Sequence, residues 1–202
     1  MRVRSAIVSF AALALAPTAP AQTLSGDALV KALRQGGYVI VMRHASSPRQ
    51  EPDKKTANPD NLTFERQLDQ TGRETAAAMG RALRELKIPL GEVLSSPTYR
   101  ALETVRLAQF GKAQTFPELG DGGQNMRAAT DSQSDFLRKR VKLFAAGTNT
   151  LIVTHFPNIT AAFPQLAAGL ADGEALIFGP DGKGGAMLVA RVKIEDWPKM
   201  RP

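Results

Sequence analysis

The chain has 202 residues, a formal net charge of +7 and no cysteine. This length suits a single domain, and the absence of cysteine excludes disulfides and thiolate metal sites. The positive charge favours anionic partners such as phosphates and acidic lipid or glycan surfaces. The densest basic run, residues 138–142, fits the solvated face of an amphipathic helix and lacks the interleaved aromatic residues that favour nucleic-acid binding.

Residues 1–21 have the organisation of a signal peptide. A basic start (Arg2 and Arg4) is followed by a mostly apolar run over residues 6–16 and by Ala19-Pro20-Ala21, a pattern typical of a signal-peptidase site. The apolar run is shorter than the roughly 20 residues that a membrane-spanning helix needs. We therefore expect a single mature domain, residues 22–202, that is periplasmic or secreted and has no permanent membrane span. An uncleaved N-terminal anchor is the alternative.

The remaining chain alternates between helical and strand patterns. The first predicted helix covers residues 26–35 and the first strand covers residues 38–43, followed by a polar loop over residues 45–68. Thr71 and Glu74 fit a capping box at the start of a second helix. A strand over residues 92–95 then leads to a helix opened by a hydroxyl cap at Ser96 and by Pro97, with Arg100 in its first turn.

The later elements include a terminal hairpin. A helix is predicted over residues 134–146, a strand ends at His155, and another helix follows Pro157. Residues 175–178 and 186–192 flank a turn rich in glycine and predict the two strands of the hairpin. The pattern predicts the α/β class: a three-layer α/β/α fold with a mostly parallel central sheet and an antiparallel C-terminal edge hairpin.

The chain contains only two histidines, His44 and His155, and each closes a run of apolar and β-branched residues. Both therefore lie at the predicted carboxyl ends of buried strands. Because ligands of open α/β sheets bind outside the carboxyl ends of the strands, the two imidazoles are expected to converge on one substrate. A structural histidine at a strand end is the alternative for either residue taken alone.

Two arginines accompany these histidines. Arg43 precedes His44, and Arg100 lies in a helix whose first turn directs free amide groups toward the same edge. Guanidinium groups bind tetrahedral oxyanions with two hydrogen bonds and keep their charge, so the set predicts a pocket for a phosphoryl group. Two histidines without cysteine make a poor metal site, and the chain lacks the Gly-x-Ser-x-Gly elbow of many serine hydrolases.

Three segments in order resemble the motifs of one family. Residues 41–45 (VMRHA) resemble the Arg-His-Gly signature of the histidine phosphatase superfamily. Residues 95–104 (SSPTYRALET) resemble its Ser-Ser-Pro-x-x-Arg-Ala-x-x-Thr segment, and residues 153–159 (VTHFPNI) are similar to its second-histidine segment. Together the motifs span roughly residues 38–160.

The resemblance implies roles for these residues. His44 is the expected nucleophile, which becomes transiently phosphorylated, while Arg43, Arg100 and His155 hold the phosphoryl oxygens. Glu118 lies where many family members place the acid that protonates the leaving oxygen, and Asp121 is the competing candidate. A carboxylate in a surface turn is the alternative for either. The resemblance implies neither a metal nor another cofactor.

The chain departs from the family pattern near the predicted pocket. Ala45 replaces a glycine, as in the phosphohistidine phosphatase branch, and Phe156 with Pro157 replaces a glycine-rich stretch and is expected to reshape the substrate mouth. The following loop offers candidate polar contacts at Ser46, Ser47 and Gln50, of which we assign Ser47 to substrate binding. A solvated loop without contact to the substrate is the alternative. Arg66 is interpreted as a structural ion-pair residue.

These observations predict an exported, metal-independent phosphatase that hydrolyses phosphate monoesters through a phosphohistidine at His44. The expected partner is a phosphorylated small molecule, glycan, lipid or protein rather than a nucleic acid, and no oligomeric state is predicted. One alternative is an inactive phosphate-binding protein of the cell envelope. Another is a phosphohistidine phosphatase that acts on phosphoramidates.

Overall fold

The computed structural model describes residues 23–48, 66–121 and 128–201, which form an α/β fold around one sheet. The predicted signal peptide and Gln50 lie outside the described residues. The helices are α1 (Gly26–Gln35), α2 (Gln70–Glu85), α3 (Tyr99–Ala108), α4 (Asp131–Arg140) and α5 (Phe156–Ala162), with 3-10 helices at Pro117–Leu119 and Ile194–Lys199. The strands are β1 (Val39–Arg43), β2 (Leu90–Ser95), β3 (Gln114–Thr115), β4 (Asn149–Thr154), β5 (Ala175–Pro180) and β6 (Ala186–Val192).

Within the described residues the six strands form one sheet in the order β3-β2-β4-β1-β5-β6. The pairs β1/β4, β2/β4 and β2/β3 are parallel, and β5 pairs antiparallel with both β1 and β6. The C-terminal hairpin therefore provides an antiparallel edge to a largely parallel sheet, which confirms the predicted architecture.

Both faces of the sheet are covered by helices. The side chains of β1 alternate between two apolar clusters, with Ile40 and Met42 on one side and Val39 and Val41 on the other. The first cluster also holds residues of α1, α2 and α3 and the buried Trp197, and the second holds residues of α4 and α5. A strand buried on both faces has no polar alternation, which explains its continuous apolar sequence.

Three helix starts differ from the sequence prediction. The second helix is capped by Asp69, whose carboxylate accepts the Gly72 N–H at 2.7 Å, so the capping box predicted at Thr71 is wrong. The third helix begins after Thr98, because residues 96–98 form a local hydrogen-bonded turn. The fourth begins at Asp131 because Thr130 and Gln133 form a capping box.

The described helices contain no segment with both the length and the apolar character needed to cross a bilayer.

Candidate active site

The two histidines follow neighbouring parallel strands. His44 directly follows β1 and His155 directly follows β4, and the His44 amide donates to the carbonyl of Thr154 at 3.0 Å. The ring centroids are 5.2 Å apart, with an angle of 62° between the planes. Both side chains are almost completely buried, so the sheet itself fixes the distance between the imidazoles.

The two ring nitrogens of His44 have different partners. Nδ1 lies 2.8 Å from the carbonyl oxygen of Ala45, which can only accept a hydrogen bond, so Nδ1 carries the proton. Nε2 accepts from Nε of Arg100 at 3.2 Å and lies 3.4 Å from Nη2 of Arg66. The Ala45 carbonyl therefore favours the tautomer in which Nε2 is unprotonated, as an attacking nitrogen requires.

Arg100 connects both histidines to a buried carboxylate. Its Nη2 forms a short ion pair with Oδ2 of Asp121 and lies 3.1 Å from Nδ1 of His155. The same Asp121 oxygen lies 3.3 Å from that nitrogen. Arg100 and His155 are 1% exposed and Asp121 is 5% exposed, so this charge pair is shielded from water.

The opposite side of the His155 ring contacts the segment that enters α3. Nε2 lies 2.8 Å from Oγ of Ser96 and 3.3 Å from Oγ1 of Thr98, the residue that precedes the helix. The hydroxyl of Thr104, one turn after Arg100, accepts the Ala45 N–H at 3.1 Å. The beginning of α3 is thus attached to the segments that follow both β1 and β4.

Arg43 lies between a carboxylate and an aromatic ring. Its Nη2 forms an ion pair of 2.6 Å with Oδ1 of Asp172, and its guanidinium carbon lies 5.5 Å from the centre of the Phe156 ring. Phe156 is the first residue of α5 and is half-buried. The two residues that replace the glycine-rich family pattern, Phe156 and Pro157, therefore place a ring against a predicted substrate-binding arginine.

Arg66 also belongs to this cluster, although its sequence context indicated a structural ion-pair residue. Its guanidinium faces His44, and its charge interacts with those of Arg100 and Arg43 and with the carboxylates of Asp121 and Asp172. Burial and the positive charge of Arg100 lower the pKa of Arg66 to about 10. The polar loop before Arg66 gave no sign of this position; its place in a segment similar to a family motif was the available signal.

The electrostatic environment keeps both imidazoles neutral. Burial, followed by the charge of Arg100, lowers the pKa of His44 well below 6.5, although the hydrogen bond to Ala45 acts in the opposite direction. The pKa of His155 is lowered in the same way, first by burial and then by Arg100. Removal from water disfavours the imidazolium ion, and neighbouring cations add to this effect.

The predicted acid Glu118 lies on the turn beside this cluster. Its side chain is half-buried, and no hydrogen bond or ion pair joins its carboxylate to the two histidines or Arg100 within the described residues. Asn158 donates to the carbonyls of Glu118 and Gly120 at 3.1 and 3.0 Å, which holds the turn against α5. The competing candidate, Asp121, lies at the end of this turn and inside the cluster.

The serines of the loop after β1 have separate environments. The Ser46 hydroxyl donates to Asp69 at 2.7 Å and therefore joins the loop to α2. Ser47 is buried, and its hydroxyl has no hydrogen-bond partner within the described residues. Across residues 23–48, 66–121 and 128–201, no group of three or more His, Asp or Glu side chains is arranged to hold a metal ion.

Comparisons with known proteins agree on one family and fold. The sequence profile of the histidine phosphatase superfamily (branch 1) matches residues 39–121. Similar solved structures include the protein histidine phosphatase SixA complexed with tungstate, at 17% identity and a TM-score of 0.57, covering 79% of this chain and 98% of that one. A phosphohistidine phosphatase SixA from Agrobacterium tumefaciens, described there as putative, has 18% identity and a TM-score of 0.52, with coverages of 77% and 97%.

A third similar structure is a phosphoserine phosphatase from Entamoeba histolytica in complex with phosphoserine. It shares 13% identity and a TM-score of 0.53, and the match covers 78% of this chain and 98% of that one. Among curated proteins there is no significant match. At these identities the structural likeness establishes the fold. The sequence match contains Arg43, His44 and Arg100, so over residues 39–121 the chain is similar to the histidine phosphatase superfamily.

Proposed function

We propose that this protein is a metal-independent phosphatase that hydrolyses phosphate monoesters through a phosphohistidine at Nε2 of His44. The observation that carries the proposal is the state of this ring. Its Nδ1 proton is held by the Ala45 carbonyl, and its Nε2 electron pair faces two guanidinium groups. A neutral imidazole in this arrangement is a nucleophile directed at the place where an anion binds.

In the first step, Nε2 attacks the phosphorus atom, an N–P bond forms and the bond between phosphorus and the ester oxygen breaks. The transition state distributes negative charge over the three equatorial oxygens. Arg43, Arg66, Arg100 and His155 surround this position with hydrogen-bond donors. In the second step, water attacks phosphorus, the N–P bond breaks, and inorganic phosphate and neutral His44 are released.

The leaving oxygen requires a proton, and the location of Asp121 suggests a source. In the free enzyme its carboxylate is ion-paired with Arg100. Asp121 lies beside Arg100 and His155, next to the position proposed for the phosphoryl group. In the proposed mechanism it donates a proton to the leaving oxygen in the first step and recovers one from the hydrolytic water in the second. Glu118 remains the alternative acid from the resemblance.

A phosphoramidate substrate is the second candidate. The observation that favours it is that no hydrogen bond or ion pair within the described residues joins the Glu118 carboxylate to either histidine. A phosphohistidine leaves as neutral imidazole once its ring is protonated, so it depends less on a protein acid than an alcohol does. The names of the two SixA neighbours are consistent with this candidate. The signal-peptide pattern supports a periplasmic or secreted location.

Labelling with a phosphate monoester that is stopped by alkaline denaturation, together with turnover measurements in the presence of chelator, tests the mechanism. Wild-type protein should take up alkali-stable phosphate, and His44→Ala should lose both the label and turnover by at least about 10³-fold. His155→Ala is the matched control, because it retains the nucleophile and should still take up label, although more slowly.

Turnover or labelling that persists in His44→Ala would contradict the proposal. Phosphate binding without turnover of either an ester or a phosphoramidate would instead support an inactive binding protein of the envelope.

A further inference from the structure

Asp172 is a charged residue of the site that the phosphatase mechanism does not use. It lies in the turn between α5 and β5, outside the three family motifs. Backbone hydrogen bonds hold this turn beside His44. The Gly173 amide donates to the His44 carbonyl at 3.0 Å, and the Arg43 backbone amide donates to the Glu174 carbonyl at 3.1 Å. Gly173 has a φ of +70°, and a Cβ there would collide with Ile194, so the turn is closely confined.

The Asp172 carboxylate is paired with Arg43 and is partly accessible to solvent. Its Oδ1 is shielded against Arg43, whereas 27% of the side chain remains exposed. Its negative charge also acts on Arg66, so the carboxylate lies near two guanidinium groups of the site, those of Arg43 and Arg66. The Phe156 ring lies beside Arg43. A partly exposed negative charge and an aromatic ring therefore both lie against Arg43.

Within the described residues, two carboxylates accompany the three guanidinium groups near His44. Asp121 is buried against Arg100 and is assigned the proton transfer, whereas the Asp172 side chain remains partly exposed. Asp172 is therefore the carboxylate that a substituent on the alcohol portion of the substrate can reach.

Resting on the phosphatase function proposed above, we propose that Asp172 makes the site selective for phosphate monoesters whose alcohol carries a positively charged nitrogen, the amino-alcohol phosphates. The carboxylate attracts the ammonium group, and Phe156 provides the apolar and cation-attracting surface beside it. The same carboxylate repels an alcohol that carries a carboxylate. Asp172 is thus a specificity-determining residue, whereas the chemical step belongs to His44.

Three esters of similar size test this assignment: 2-aminoethyl phosphate, propyl phosphate and phosphoglycolate, which carry a positive, a neutral and a negative substituent. In wild-type protein, kcat/KM should decrease in that order. Asp172→Asn should lower the ratio of kcat/KM for the aminoethyl ester to that for phosphoglycolate by about tenfold, because unit charges a few ångströms apart at a partly exposed site interact with about this strength.

The ratio isolates the charge of Asp172 from any displacement of Arg43, because a displaced Arg43 would slow all three esters together. Asp135→Asn is the matched control, since it removes the same charge from an exposed position on α4. Phosphoserine, with an ammonium and a carboxylate, distinguishes an amino-acid ester from a headgroup-type ester: only the latter should show the full preference.

Equal ratios in wild-type protein and Asp172→Asn, with turnover of all three esters, would overturn the specificity assignment and leave the phosphatase proposal intact. Absence of turnover would contradict the phosphatase proposal instead. In that case, calorimetric binding of the same three compounds to His44→Ala measures the ranking directly, and a ranking without the aminoethyl ester first would overturn the assignment.

Discussion

His44 and His155 are ionisable side chains with almost no access to water, and both lie within a group of arginines. For a nucleophile this environment has a direct advantage, because the imidazole stays unprotonated at neutral pH. It also has a thermodynamic cost. The unfolded chain can protonate its histidines in mildly acidic solution, but the folded chain resists doing so.

The first prediction concerns stability below neutral pH. Because the pKa values of both histidines are lower in the folded protein, their contribution is complete above about pH 6.5 and is lost as the pH falls below that value. We expect the free energy of unfolding to decrease by about 1 kcal/mol per pH unit for each histidine in that range. Urea denaturation between about pH 7.5 and 5.5 measures this slope. The control is the double variant His44→Gln with His155→Gln, and an unchanged slope in it would refute the explanation.

The second prediction concerns the proton for the leaving oxygen. If Asp121 donates it, Asp121→Asn should slow hydrolysis of phenyl phosphate by about 10²-fold, with little effect on 4-nitrophenyl phosphate, whose leaving group needs no acid. Glu118→Gln, the matched carboxylate-to-amide change on the same turn, should alter both rates by less than about twofold. The opposite pattern would assign the acid to Glu118. Hydrolysis of a phosphoramidate should survive in both variants.

At the scale of secondary-structure elements, the site depends on the packing of α2 against α3. A Cβ atom at Gly80, in the middle of α2, would overlap the carbonyl oxygen of Ala108 at the end of α3. A glycine that weakens an isolated helix is therefore required here, because it allows the two helices to approach closely. This contact supports the helix that carries Arg100.

Gly80→Ala gives the third prediction. In an exposed helix this change stabilises by roughly 1 kcal/mol, whereas here the steric overlap should reverse the sign and lower the free energy of unfolding by at least about 2 kcal/mol. Chemical denaturation measures the change. Arg81→Ala, at the adjacent exposed position, is the control and should remain within about 0.5 kcal/mol of wild type. A stabilised Gly80→Ala would show that the helices can separate without cost.

The elements that the sequence predicted well are those with strong periodic or apolar signals. The first helix has the predicted bounds, and the strands before both histidines and the terminal hairpin lie where expected. The two-residue strand β3 and the 3-10 helix over Ile194–Lys199 were missed. Each is too short for a periodic pattern, and the second is held in place by the buried Trp197, a tertiary contact.

The residues of the candidate site could likewise be predicted from the sequence only where the elements that carry them could be predicted. Residues next to strand ends or in a helix's first turn, such as His44, His155 and Arg100, could be placed because their elements could be placed. Arg66 and Asp172 could not be placed in this way, because both lie in irregular segments whose path depends on tertiary packing. Asp121 was identified as a candidate, but its ion pair with Arg100 joins residues that are distant in sequence.

At the scale of the whole molecule, the site residues lie at the carboxyl ends of the central strands β1 and β4. The predicted export signal lies outside the described residues. The fourth prediction concerns that signal. If residues 1–21 are a cleaved leader, mass spectrometry of the exported chain should find a protein that begins near Gln22. Replacing Ala19 and Ala21 with larger residues should leave the leader attached. An unprocessed chain anchored in the membrane would support the alternative anchor.

The amide of His44 donates a hydrogen bond to the carbonyl of Thr154, so the two histidines are joined through the backbone of neighbouring strands. Asp172, by contrast, belongs to a turn that contributes no strand to that pair. If the specificity proposal holds, the residues that determine the preferred alcohol and the residues that carry out the chemistry belong to different segments of the chain. A substitution of the Asp172 side chain would then change the preferred substrate while the paired strands still fix the distance between the imidazoles, so that a duplicated copy could diverge in use and remain active.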